Sequence, residues 1–465
     1  MRIRSIIWIF LSTISSISGQ EVLSLDEYLD RVRAYHPVIK QSQLLDDKSE
    51  AYMRKAKGSV DPVLSSGFNG KSFDEKEYYN LLDATLKLPT ALGVDVEVNY
   101  ERNTGEFLND QAFLPQNGLL SAGVSVPLVQ GLAYNNRRFL LDEAKNIGQQ
   151  NMLKRIEMVN KILYSAVKVY LDWEFNYRIT ETYREAVDIA SIRLDNTIDL
   201  VLQGDKPAID TVEARQNLLN NNINYQSALM QMQASFTTLR NFLWSQDGDL
   251  YSIDENVQPQ QLSDRLREDR VQSMLVDVSI DDLPMVRSIE LENQLLNLER
   301  RNVSERIKPQ VDLKFNPLLR LDQPDVPVSF SAQDYKVGLN VYFPILGRKA
   351  RGERQLIEIE LQENQLLRSD VSRQIETEIA VVNQQIQDME DILSDTENNV
   401  LLAERLLDAE NERFSIGESS VFLVNSREQK LLENRLKRWK LIYQINKRII
   451  DYYFITRQLE DTSWN

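Results

Sequence analysis

The sequence predicts a mainly α chain with a transmembrane β part: a β-barrel shared by several copies and continued by a long α-helical barrel, with two internal repeats per chain. Three observations predict it. Two stretches, Arg137 to Leu202 and Arg348 to Ile416, carry helix-type spacing with no internal proline. At 1.5 Å rise per residue each helix would be roughly 100 Å long, too long for a globular core. Other segments alternate strictly between apolar and polar residues, as strands do. The order of helix, proline, strands, proline, long helix, tight turn and helix occurs twice.

The long stretches show their period directly. Ile156, Leu163, Ala166, Tyr170, Trp173 and Tyr177 recur at threes, fours and a seven. Val371, Ile375, Ile379, Val382, Ile386 and Met389 do the same. The whole chain has 465 residues, enough for two or three ordinary domains. Residues 1–20 read as a signal peptide. Arg2 and Arg4 form the basic start, Ile6 to Leu11 the apolar core and Ser16 to Gly19 a small-residue exit, so cleavage is expected near Gly19 or Gln20. Cysteine is absent, which excludes a disulfide framework, thiolate metal sites and a lipid anchor on cysteine.

The formal charge is −16, and loss of Arg2 and Arg4 gives −16 − 2 = −18. That balance argues against nucleic acid as a partner. It suits a conduit for cations or a solvated surface. Beyond the signal no apolar run is long enough for a membrane helix, so entry into a bilayer must be as a β-barrel.

Residues 21–244 form the first repeat. A helix over 24–57 starts at Ser24, with Glu27 completing a capping box, and stops at Gly58. Past Pro62 the chain is β-rich. Leu86 and Leu88 alternate with Thr85 and Lys87; Val94, Val96, Val98 and Tyr100 with Asp95, Glu97 and Asn99; Leu120, Ala122, Val124 and Val126 with Ser121, Gly123 and Ser125. The pair from Leu86 to Tyr100 has no counterpart later, and is expected to extend the barrel's outer loops or cover its side. Pro127 closes the region. The first long helix ends at Gly204, Pro207 starts a return helix, and that helix runs to near Trp244. Residues 245–282 read as a mixed equatorial segment.

The second repeat, 283–460, follows the same plan and leaves a tail at 461–465. Pro309 matches Pro62, and Pro344 matches Pro127. These four prolines mark the helix–strand junctions, because proline lacks an N–H and biases its predecessor toward extended geometry. Val311, Leu313 and Phe315, with Val337, Leu339, Val341 and Phe343, form the expected lipid-facing set. Gly417 and Ser420 make the second tight turn. Four main strands per copy cannot enclose a bore, since about eight are needed. Several copies must share the barrel, and three would give twelve strands and twelve helical columns. The turns at Gly204 and Gly417 would lie at the far end of that tube, where a partner docks and the bore closes. Asp210, Arg215, Arg413, Phe414 and Arg427 lie within a few turns of it and are the gate candidates.

With those residues in place, the chain resembles the TolC family of trimeric outer-membrane channels across essentially its whole mature length. The closest local match is Gly204 followed by Asp210, Ala214 and Arg215. The strand ends Val126-Pro127-Leu128 and Tyr342-Phe343-Pro344-Ile345, each followed by glycine and an arginine-containing helix start, also look like the family. The resemblance implies a homotrimer with a twelve-stranded β-barrel in outer-membrane lipid and a long α-helical barrel as a tunnel through the periplasm. It implies docking to a periplasmic adaptor protein and an inner-membrane pump of the RND, ABC or MFS type, for efflux or type I secretion. Asp210 matches a family position that helps hold the closed entrance. The family's best-known member has tyrosine where Phe414 stands, arginine at Ser419, and an aspartate pair at Leu423 and Ser426. The constriction ring of the second hairpin is therefore missing, with Arg413 or Arg427 as the expected substitute.

The alternative reading is a periplasmic coiled-coil adaptor or scaffold without a pore; such proteins usually carry one hairpin and lack lipid-facing strands. An enzyme is the weakest reading. His36 is the single histidine, and no phosphate loop or metal-spaced cluster stands out, so no cofactor or catalytic residue is expected.

Overall fold

The computed structural model describes residues 22–254, 256–262, 279–320 and 329–459. The expected signal peptide 1–20, the tail 461–465 and much of the 245–282 segment lie outside the described residues. Helices α1 (Leu25–Tyr35) and α2 (Pro37–Lys57) lead into strands β2 (Val63–Phe73), β3 (Lys76–Pro89), β4 (Asp95–Thr104) and β5 (Leu119–Pro127). Helix α3 (Asn136–Leu202) and helix α4 (Ile209–Arg240) follow. The order then runs again as α5 (Pro284–Glu305), β7 (Gln310–Arg320), β8 (Ser329–Tyr342), α6 (Arg348–Ser415) and α7 (Val421–Thr456). The long helices α3 and α6 have 67 and 68 residues, within a residue of the bounds read from their periodicity.

Two expectations need correction. The helix expected over 24–57 is two helices. Pro37 disfavours helical geometry in its predecessor, and His36 is accordingly extended, with ψ 132°. His36 then turns its imidazole to use, its Nδ1 accepting from the Val38 N–H at 3.2 Å. Ser24 does cap α1, accepting from the Glu27 N–H at 3.1 Å.

The second correction concerns the strands. Instead of four main strands per copy there is one six-stranded sheet, in the order β2-β3-β4-β5-β7-β8, antiparallel at every pairing. The β3–β4 pair is hydrogen-bonded into the plane of that sheet, neither an outer loop nor a cover. Strand β2 escaped the sequence reading because Ser65, Ser66, Gly67, Asn69, Gly70 and Ser72 leave it little apolar rhythm. The count of four main strands per copy therefore gives way to six in one open sheet.

The chain divides into two units. One, within residues 41–157 and 279–376, holds the sheet and the helix segments beside it. Leu296, Val303, Ala350 and Ile357 form a small core there. Asn146 crosses from α3 to donate to the Leu291 carbonyl at 2.9 Å, and Arg155 pairs with Asp46 at 2.7 Å.

The other unit, within residues 1–40, 158–278 and 377–465, is mainly helical among the described residues and holds a short parallel ladder. In it β1 (Val22–Leu23) lies beside β6 (Gln258–Pro259). Its core gathers Leu29, Tyr170, Trp173, Leu239, Ile445 and Ile449. One face of α3 clamps the ladder. The Tyr170 hydroxyl donates to the Leu23 carbonyl at 2.6 Å and accepts from the Gln260 N–H at 3.0 Å. One turn further on, Glu174 accepts from the Leu262 N–H at 2.9 Å. No helix of the described residues is long and apolar enough to cross a membrane.

Candidate functional site

The first functional feature is the sheet, whose register sorts its residues into two faces. Leu88, Val96, Val124, Phe315 and Val337 lie side by side across five strands. Leu64, Leu86, Val98 and Ala122 form a second row, and Val126, Leu313 and Leu339 a third. The expected lipid-facing residues Val311, Leu313, Phe315, Val337, Leu339 and Val341 all share this face; Phe343 stands one residue past the end of β8. Leu64 and Phe68 on β2 and Val337, Leu339 and Val341 on β8 are between 61 % and 75 % exposed, at the two edges of an apolar face that has no partner among the described residues.

The opposite face is polar and internally paired. Lys87 bridges Asp95 at 2.9 Å and Glu97 at 3.4 Å; Glu97 also reaches Lys314 at 3.7 Å, and Lys336 pairs with Glu101 at 3.1 Å. Thr85 donates to Asn99 at 2.9 Å. Glycine at 123 makes the crossing possible. Gly123 sits opposite Glu97, and a Cβ there would collide with the Phe315 carbonyl and the Asn316 side chain. Arg137, from the first turn of α3, closes the lower edge of this face on Asp95 at 2.6 Å. Pro62 and Pro309 stand one residue before β2 and β7, Pro127 ends β5, and Pro344 follows β8 by two residues.

The second feature is the pair of helical turns. Gly204 and Gly417 take φ of +84° and +83°, the left-handed geometry that glycine adopts without strain. In both turns the following N–H reaches back five residues, Asp205 to the Leu200 carbonyl at 2.9 Å and Glu418 to the Arg413 carbonyl at 2.8 Å. Pro207 accepts from the Asp210 N–H at 3.0 Å, and Ser420 caps α7.

Two gate candidates of the second turn, Arg413 and Arg427, converge on a residue the sequence did not single out. Glu410 is buried. It accepts from the Ser419 hydroxyl at 2.5 Å and faces Arg413 at 3.7 Å and Arg427 at 3.8 Å. Phe414 packs with Leu194, Ala214 and Val421, joining the two hairpins. Over its ring lies Lys206 at 4.6 Å, whose ammonium also donates to the Ser419 carbonyl at 2.9 Å. Arg193 adds a second tie, to Glu428 at 2.5 Å and Asn411 at 2.9 Å. Asp210 and Arg215 are not brought into this cluster, and neither has an ion pair among the described residues. No periodicity or motif distinguishes Glu410 or Glu428 from the other acids of α6 and α7. Only their burial does.

No protein-family model matches this sequence, and no curated protein matches it significantly. Solved structures match it along nearly the whole chain. The outer membrane protein VceC from Vibrio cholerae superposes with a TM-score of 0.65 at 14 % identity, covering 93 % of this chain and 95 % of that one. A membrane protein from Pseudomonas aeruginosa gives 0.64 at 13 %, covering 94 % and 91 %. The Campylobacter jejuni CmeC outer membrane channel gives 0.62 at 12 %, covering 98 % and 93 %. The fold is TolC-like.

Proposed function

We propose that this chain is an outer-membrane exit duct. Three copies form a passive channel through the outer membrane that continues into the periplasm, for a tripartite efflux or type I secretion system. The observation that carries this reading is the sheet, apolar on one side and charged on the other. In a bilayer the apolar side takes the lipid, and the side bearing Lys87, Asp95, Glu97 and Lys314 takes the water of the lumen. The two turns face the other partners. Leu202, Ile209, Val212, Ile416 and Phe422 are exposed around them, an apolar rim suited to a periplasmic adaptor, through which an inner-membrane RND, ABC or MFS pump supplies the energy. Asp210 and Arg215, without an ion pair among the described residues, are available to neighbouring hairpins. A scaffold without a pore would have no use for a six-stranded sheet with an unpartnered apolar face.

Fractionation of cells followed by planar-bilayer recording tests the proposal. The expected result is a heat-modifiable trimer in the outer-membrane fraction that opens single channels. A monomer that stays in water without detergent rejects it.

A further inference from the structure

We infer that the wall of this channel has eighteen strands, six from each of three copies, closed by pairing β2 of one copy with β8 of the next. The inference rests on the trimer proposed above and deepens it. Both β2 and β8 are hydrogen-bonded on one side only, so the sheet ends in two open edges. Inside hydrocarbon an open edge is not tolerated, because its N–H and C=O groups have no water to turn to. The sheet cannot close on itself either, since six strands are below the practical minimum for a barrel.

A second copy of the same chain fits both edges. Five successive antiparallel pairings separate β2 from β8, so the two strands run in opposite directions. Placed side by side across a copy boundary, they continue the antiparallel order without a break. The faces continue as well. The apolar face takes the even residues Leu64 and Phe68 in β2 and the odd residues Val337, Leu339 and Val341 in β8. Partners across the boundary therefore have numbers of opposite parity. Aligning the helix-proximal ends, Val63 with Tyr342, sets Leu64 beside Val341 on the apolar side and Ser65 beside Asn340 on the polar side. Such a head-to-tail contact generates a closed ring.

The count changes the bore. With strands about 4.8 Å apart and tilted by about 40°, eighteen strands give a backbone diameter of roughly 36 Å, against roughly 24 Å for twelve. The surplus comes from the β2–β5 region, which supplies four strands where the second half of the chain supplies two. The extra width is lined by Lys87, Asp95, Glu97, Asn99 and Glu101, so it adds charged as well as empty cross-section.

The chain has no native cysteine, so engineered pairs report on single contacts. Ser65→Cys is combined in turn with Gly338→Cys, Asn340→Cys and Tyr342→Cys, which covers three registers of correct parity. The protein is oxidised in outer membranes and run on denaturing gels. A covalent trimer from one of these pairs, with monomers from each single variant, is expected. Asn99→Cys with Asn340→Cys is the opposing pair. Covalent trimers from it, with none from the Ser65 pairs, would mean that β4 is the edge, and would overturn the eighteen-strand wall while leaving the trimer. Linked rings of two or four copies would overturn the trimer and the count together, though not the edge pairing. Electron microscopy of the unmodified protein in lipid nanodiscs counts strands without any substitution. Eighteen supports the inference, and twelve sinks it.

Discussion

At Glu174 burial and hydrogen bonding pull against each other. The side chain sits inside the helical unit, and removal from water pushes its carboxyl up from 4.5 to about 7, even though the Leu262 N–H and the charge of Arg178 favour the ionised form. The folded chain therefore holds this proton more tightly than the unfolded one. Between pH 4.5 and about 7 the folded state binds more protons, so stability falls as pH rises through that window and is level outside it. The full effect is about 3 kcal/mol. Glu174→Gln keeps an oxygen for the Leu262 N–H and removes the titration. Thermal melts in detergent should show wild type less stable at pH 8 than at pH 5 and the variant nearly indifferent. Glu410 is also buried, with a hydroxyl and two guanidinium groups gathered round it. Ser419→Ala removes the short hydrogen bond, a loss of about 1.5–3 kcal/mol for a charge-assisted contact. Glu410→Ala should loosen the second hairpin and raise leakage of antibiotics, while Asp210→Ala should act only in the assembly. Conductance and drug sensitivity of the two variants, with melts of detergent-held protein, separate these roles. An Asp210→Ala channel with unchanged leakage removes Asp210 from the gate.

At the scale of elements, the sheet makes the sharpest statement. Leu339 and Asn340 are neighbours in β8 on opposite faces, and Leu339 lies beside Leu313 and Asn340 beside Asp312. Leu339→Arg places a charge in the lipid and should cost about 2–4 kcal/mol if it lies near the bilayer midplane. Asn340→Arg places the same charge over water and should be tolerated. The yield of heat-modifiable protein in outer membranes measures both, and equal yields would mean that the sheet does not face lipid as argued. The long helices depend less on any single residue. Their apolar spacing holds over 67 and 68 residues, and each ends where a glycine turns left-handed. Both bounds were legible because helix periodicity and glycine stops are local signals. Strand β2 was not legible. Its glycines and serines carry no period, and its membership in the sheet is decided by pairing with β3 from Val63 to Phe73, with one register shift after Lys71.

For the whole molecule, local chemistry written along the chain was sufficient for the plan. Long unbroken helices, two glycine turns, four junction prolines and alternating strands are each specified by residues within a few positions of one another, so they can be read in order. That same reading led to a tube shared by several copies, because neither the helices nor a few two-faced strands can bury themselves in one chain. What only the tertiary structure decided depends on contacts between distant residues. The sheet has six strands because β5 pairs with β7 from the other half of the chain, Val126 beside Leu313, a pairing that no window of sequence displays. Lys314 and Lys336 find Glu97 and Glu101 from the other half of the chain. Glu410 becomes the centre of the second turn only when Ser419 and Arg427, nine and seventeen positions on, fold back over it. Periodicity decides which residues face together, and packing decides which of them meet.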